Sequence, residues 1–196
     1  MRKIPSDIEN PIDNILIDIA EPLSIIFRSM NFTPNGITTL SLIFGIFAII
    51  GLYKGYVIFS VIMMGLSYLM DCCDGYYARK YNMVTKVGDC YDHIKDVVVF
   101  ILFIYVLYKR NKDKLDRKEW IIVWIILLFF GIMTSLYFGC QERYYGKEYE
   151  IPTFGCLSKL ISSKEKAEKW LNFLRFFGLG TFTMVILIFT IWIEYK

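Results

Sequence analysis

Five long stretches of this 196-residue chain contain no Asp, Glu, Lys or Arg: residues 37–53, 55–70, 97–108, 120–141 and 176–193. A helix that crosses a bilayer needs about 20 mostly apolar residues. The second and third runs fall short of that on their own. They reach it only if the charged segment between them, residues 71–96, is helical too, which sets its acids at the membrane surface and partly inside it. The chain is 56% hydrophobic, against about 45–50% in a soluble domain, and a bilayer is the simplest place for the excess. The expected fold is an all-α integral membrane protein forming one domain over residues 1–196.

The segment before the first run has a different character. Asn10 can cap a helix with Pro11 at its first position. Ile12, Ile15, Leu16, Ile19, Leu23, Ile26, Phe27 and Met30 then recur at helical spacing, with Asp13, Asp18 and Glu21 on the polar side. This predicts an amphipathic surface helix over residues 10–30, bent at Pro22, that lies on lipid or docks on the chain's own helices. Two polar loops remain, residues 109–119 and 142–169. The net charge of +3 gives no case for nucleic acid. The five cysteines, Cys72, Cys73, Cys90, Cys140 and Cys156, lack zinc or disulfide spacing and read as free thiols. The first 30 residues lack the compact apolar core of a cleavable signal peptide.

Basic residues indicate the orientation. With five spans and a cytoplasmic N-terminus, 14 of the 22 Lys and Arg residues fall on the cytoplasmic side, among them Arg79, Lys80, Lys86, Arg143, Lys147 and Lys159. That agrees with the positive-inside rule, although the 109–119 loop places six on the far side.

The segment around Asp71 carries the chemistry. A helix turns about 100° per residue, which puts Asp71, Asp74, Gly75 and Ala78 on one narrow face. Gly88, Asp92 and Asp96 step by four and share a face of the next helix. A short turn around residues 81–85 should pack the two helices antiparallel, so that four carboxylates converge. Four anions cannot stay unpaired at a membrane surface, and hard oxygen ligands in that number suit one or two divalent cations such as Mg²⁺, Mn²⁺ or Ca²⁺. A two-metal carboxylate site suits displacement at phosphorus. Gly75, Ala78 and Gly88 leave room beside it for a base and a diphosphate, and Arg79 adds a donor fork. An ion-conducting path would also place acids in the membrane, but it has no need of Arg79 or the glycines.

These residues spell D-x2-D-G-x2-A-R-x8-G-x3-D-x3-D, and all eight fixed positions are filled by Asp71, Asp74, Gly75, Ala78, Arg79, Gly88, Asp92 and Asp96. The pattern resembles the signature of the CDP-alcohol phosphotransferase family. That resemblance implies an integral membrane, multi-pass enzyme of phospholipid synthesis, with a surface helix and five to six transmembrane helices. Residues 34–96 would be its nucleotide- and metal-binding core and residues 97–196 its acceptor-side helices. It would move a substituted phosphate from a CDP-alcohol to the hydroxyl of a lipid or small alcohol and release CMP.

The resemblance further implies that Asp71, Asp74 and Asp92 are ligands of two ions, Mg²⁺ or Mn²⁺, with Asp71 and Asp92 bridging. Asp96 would bind the second ion and act as general base. Asn35 and Thr38, in a P-N-x-x-T element, would contact CDP together with Asp71, Gly75, Ala78, Arg79, Thr85 and Gly88. A homodimer and a site facing the cytoplasm belong to the same expectation. Asp92-His93 resembles the D-H-x-x-D form of choline and ethanolamine phosphotransferases, which makes His93, with Arg143, a candidate for the acceptor pocket.

Overall fold

In the computed structural model the described residues are 1–145 and 163–196, and among them every regular element is helical. Cys156, Lys147 and Lys159 lie outside the described residues. The helices are α1 (Pro11–Ser29), α2 (Pro34–Lys54), α3 (Val57–Lys80), α4 (Lys86–Asn111), α5 (Arg117–Tyr145), α6 (Lys164–Leu174) and α7 (Leu179–Tyr195), with a 3₁₀ turn at Arg175–Phe177.

Among the described residues, four stretches are long and apolar enough to cross a membrane: Pro34–Lys54, Val57–Lys80, Arg117–Tyr144 and Glu165–Tyr195. The fifth expected span, α4, has 26 residues, about 39 Å at 1.5 Å per residue. It has the length but not the composition, because its first three turns carry Asp89, Asp92, Lys95 and Asp96. The last span also starts differently from the expected residue 176. The 3₁₀ turn occupies that point, and the polar-looking stretch before it forms the amphipathic α6. Ala167, Leu171 and Leu174 of α6 are buried against Tyr137 and Cys140 of α5 and against Ile4 and Ile8.

Helix α1 starts as expected. The Asn10 side chain accepts from the backbone of Ile12 and Asp13, with Pro11 following. It runs through Pro22 as one continuous helix. Its orientation settles the choice left by the sequence. Ile15, Ile19, Ile26 and Met30 stay exposed, while Asp13, Ile17, Ala20, Ser24 and Phe27 turn inward, mainly against α3. The helix thus docks on the protein through Ile17, Ala20 and Phe27 together with Asp13 and Ser24, and leaves Ile15, Ile19, Ile26 and Met30 outward, where lipid would lie, alongside the exposed Asp18 and Glu21.

Polar bonds hold that docked face. Asn10 Nδ2 donates to the Arg175 carbonyl at 2.6 Å and to Thr181 Oγ1 at 2.8 Å. Tyr68 Oη donates to Asp13 Oδ1 at 2.6 Å, and Tyr137 Oη donates to Glu9 Oε1 at 2.9 Å. Burial raises the Asp13 carboxyl to about 7, against the pull of Tyr68, and burial also raises Glu9. Gly180 makes this docking possible, since a Cβ there would overlap Asp13 Oδ1 and come within 2.9 Å of Asn10 Oδ1.

Helices α2 and α3 form the closest pair. Ser41 Oγ donates to the Ser67 carbonyl and Ser67 Oγ to the Ser41 carbonyl, both at 2.8 Å, and Ser60 Oγ donates to the Ala48 carbonyl at 2.6 Å. Small residues let membrane helices approach closely, and hydroxyls then bond across the seam. The turn between α3 and α4 falls at residues 81–85, as expected, with Asn82 at φ 54°. The two helices do not pack along one another, however. Each packs on α2, which leaves a gap between them for long polar side chains.

Candidate functional site

That gap holds the acids. Asp71, Asp74 and Asp92 each present an oxygen, all within 4.8 Å of one another. Asp71 and Asp74 sit on the last turns of α3, where the helix leaves its apolar run. Thr38 Oγ1 donates to Asp74 Oδ2 at 2.7 Å, tying α3 to the first turns of α2. Asp92 Oδ1 is buried without a hydrogen bond, although Lys95 Nζ lies 3.1 Å away.

Asp96, the fourth expected acid, is not within that distance of all three, but its carboxyl meets that of Asp71 directly, and Lys95 pairs with both. The Lys95 ammonium contacts Asp71 Oδ1 and lies 2.7 Å from Asp96 Oδ1. It also donates to Ser41 Oγ at 3.1 Å, and its side chain is 2% exposed. Lysines are almost never fully buried unless paired. The sequence reading missed this residue. The signal was present: Lys95 is three residues after Asp92, a spacing at which helical side chains meet.

Seven of the eight residues expected at CDP line one cleft of about 90 Å³: Asn35, Thr38, Gly75, Ala78, Arg79, Thr85 and Gly88. Asp74, Asp92 and Lys3 line it too. Asp71, the eighth, is not part of the lining and is engaged by Lys95. Thr85 caps α4 by accepting from the Gly88 backbone at 3.1 Å. A Cβ on Gly88 would come within 2.8 Å of Asn35 Oδ1 and 3.0 Å of Thr85 Oγ1, so any side chain there would displace those two polar groups at the cleft. Arg79 Nε donates to the Met1 carbonyl at 3.0 Å, which brings the N-terminal residues to the edge of the cleft.

The two acceptor-pocket candidates are elsewhere. His93 is exposed, and its Nδ1 is 2.7 Å from the Asp89 carbonyl on its own helix. Arg143 is exposed in the last turn of α5.

The donor set consists of carboxylate oxygens from two helices, one of them buried without a hydrogen-bond partner. It fits a hard divalent cation better than a soft one. The fold is thus an all-α membrane protein whose acid triad, beside a glycine-lined cleft, could hold a metal ion.

The family model for CDP-alcohol phosphatidyltransferase matches residues 31–195, and the chain belongs to that family. It is 29% identical over 115 residues to a protein of Aquifex aeolicus named bifunctional IPC transferase and DIPP synthase; the match covers 59% of this chain and 25% of that one. It is 37% identical over 57 residues to a CDP-diacylglycerol–glycerol-3-phosphate 3-phosphatidyltransferase of Rickettsia felis, covering 29% of this chain and 32% of that one. The matches thus span about a quarter and a third of these relatives. No solved structure matches the chain.

Proposed function

We propose that the protein transfers a substituted phosphate from a CDP-alcohol to an acceptor hydroxyl and releases CMP. The observation that carries this reading is the acid triad of Asp71, Asp74 and Asp92 at the wall of the cleft lined by Asn35, Thr38, Gly75, Ala78, Arg79, Thr85 and Gly88. A divalent ion held by the triad, Mg²⁺ or Mn²⁺, would neutralise the diphosphate and polarise its phosphorus–oxygen bonds.

The chain's own groups supply the rest. Arg79 offers a donor fork to the diphosphate. Gly75 and Gly88 leave backbone open to the nucleotide. Asp96, whose side chain is 41% exposed, is the least covered of the four acids and is assigned as general base. The acceptor oxygen forms a bond to the phosphorus that carries the alcohol, and the bond from that phosphorus to the bridging oxygen breaks. CMP leaves with the bridging oxygen, and the acceptor proton goes to Asp96.

A lipid substrate is supported by a groove of about 570 Å³ lined by Phe100, Ile104, Leu128, Ile132 and Phe182. It begins one turn beyond Asp96 along α4. Within the class, the proposed donor is CDP-diacylglycerol, which the name of the Rickettsia relative specifies for that protein. The choline or ethanolamine version rests on His93, and His93 is turned to its own helix. A cytoplasmic site and a homodimer are parts of the same proposal.

The test is CMP release by purified protein with Mg²⁺ or Mn²⁺, given CDP-diacylglycerol, CDP-choline or CDP-ethanolamine and a panel of acceptor alcohols. CMP should form with CDP-diacylglycerol, depend on the metal, and be lost in Asp96→Asn. No CMP from any donor would overturn the reading.

A further inference from the structure

Lys95 has no role in the reaction as written, yet among the described residues it is the most completely paired cation of the interior. Its ammonium reaches Asp71, Asp92 and Asp96 at once, and a hydroxyl of α2, Ser41 Oγ, completes its contacts. Those three acids are the set expected to hold a second divalent ion. An ion held by all three would have to take the Oδ1 atoms that Lys95 holds, whereas an ion at Asp74 and the remaining oxygens of Asp71 and Asp92 need not. Asp74 is the one acid that Lys95 does not contact. It bonds Thr38 instead and remains beside the cleft.

We propose that Lys95 is a built-in cation of this centre, standing in the place of a second divalent ion, so that the chain binds a single divalent ion at Asp71, Asp74 and Asp92. The proposal rests on the metal-centre part of the proposed function. The fold supports a permanent occupant. Lys95 projects from α4 toward the side where α2 crosses it, and Ser41, which accepts from Nζ, is itself locked to Ser67 across the α2–α3 seam. The ammonium therefore bridges α2, α3 and α4 where α3 and α4 do not pack on each other. Its charge also holds Asp96 close to the triad. A small residue at position 95 would leave the oxygens of Asp71, Asp92 and Asp96 free for a second ion.

The experiment counts ions rather than turnover. Purified protein in detergent micelles is titrated with Mn²⁺, and free Mn²⁺ is followed by electron paramagnetic resonance. Wild type should bind one Mn²⁺ per chain. Lys95→Met, which keeps most of the aliphatic stem and loses the charge, should bind two, and Lys95→Arg should stay at one. Two ions in wild type would overturn the proposal whether or not a variant folds, and so would a folded Lys95→Met that still binds one. The CMP assay is separate. Absence of CMP alongside the expected ion counts would defeat the reaction and leave the assignment of Lys95 standing.

Discussion

Replacing Asp13 with asparagine should remove most of a pH dependence that the fold builds into α1. The folded chain holds the Asp13 carboxyl near 7, raised from 3.8 by its burial on the inner face of α1. The folded state therefore keeps a proton that the unfolded chain releases, and stability must fall as pH rises from about 4 through about 7. A carboxyl raised that far corresponds to about 4 kcal/mol, at about 1.36 kcal/mol for each tenfold change in proton affinity. Below the lower limit wild type and variant should be equally stable. Above the upper limit the wild type keeps a buried carboxylate beside Glu9, whereas asparagine keeps an acceptor for Tyr68 without the charge. Thermal unfolding in detergent micelles at about pH 5 and about pH 8 reads the difference. Asp13→Asn should be the more stable protein at the higher pH. Some slope should remain, because burial raises Glu9 as well. A variant with the wild-type slope, or one less stable at high pH, would refute the argument that burial of Asp13 is its source.

Three further outcomes follow from close contacts. Gly180→Ala should push α1 off α7, because its methyl group would overlap Asp13 Oδ1 and sit 3.0 Å from Ile12 Cβ; the expected loss is about 1–3 kcal/mol, read as a lower unfolding temperature. Gly88→Ala crowds Asn35 Oδ1 at 2.8 Å in the cleft and should raise KM for the CDP donor more than it lowers kcat, with little effect on unfolding. Thr38→Val removes the 2.7 Å bond to Asp74 and should weaken Mn²⁺ binding about 10- to 100-fold, as loss of a ligand-supporting partner does elsewhere; unchanged affinity would mean that this bond does not orient Asp74 for the ion.

The parts legible in the sequence were those set by local rules. Asn10-Pro11 marked the start of α1, residues 81–85 the turn between α3 and α4, and the apolar runs the helices themselves, because capping, turn chemistry and hydrophobic length each act within a few residues. The acids of the triad were legible because helical spacing fixes which side chains share a face. What stayed hidden was which face of a helix meets which neighbour. The isoleucine stripe of α1 has the periodicity of a buried face, but in a membrane the apolar side can look outward. The inward side pairs apolar contacts from Ile17, Ala20 and Phe27 with polar bonds, Asp13 on Tyr68 and Asn10 on Arg175 and Thr181. Asn10 looked like a simple cap and also joins α1 to the 3₁₀ turn and to α7, through partners 165 and 171 residues away in sequence. The same reversal explains Lys95. Counting acids predicted a charge deficit that only metal could fill, since a lysine beside Asp96 reads as a solvated end when helices are imagined one at a time. With α2 packed across it, that lysine has no route to water. Its charge is neutralised by the same carboxylates, and on the proposal above the number of ions the centre holds is set by α2 packing as much as by the acids.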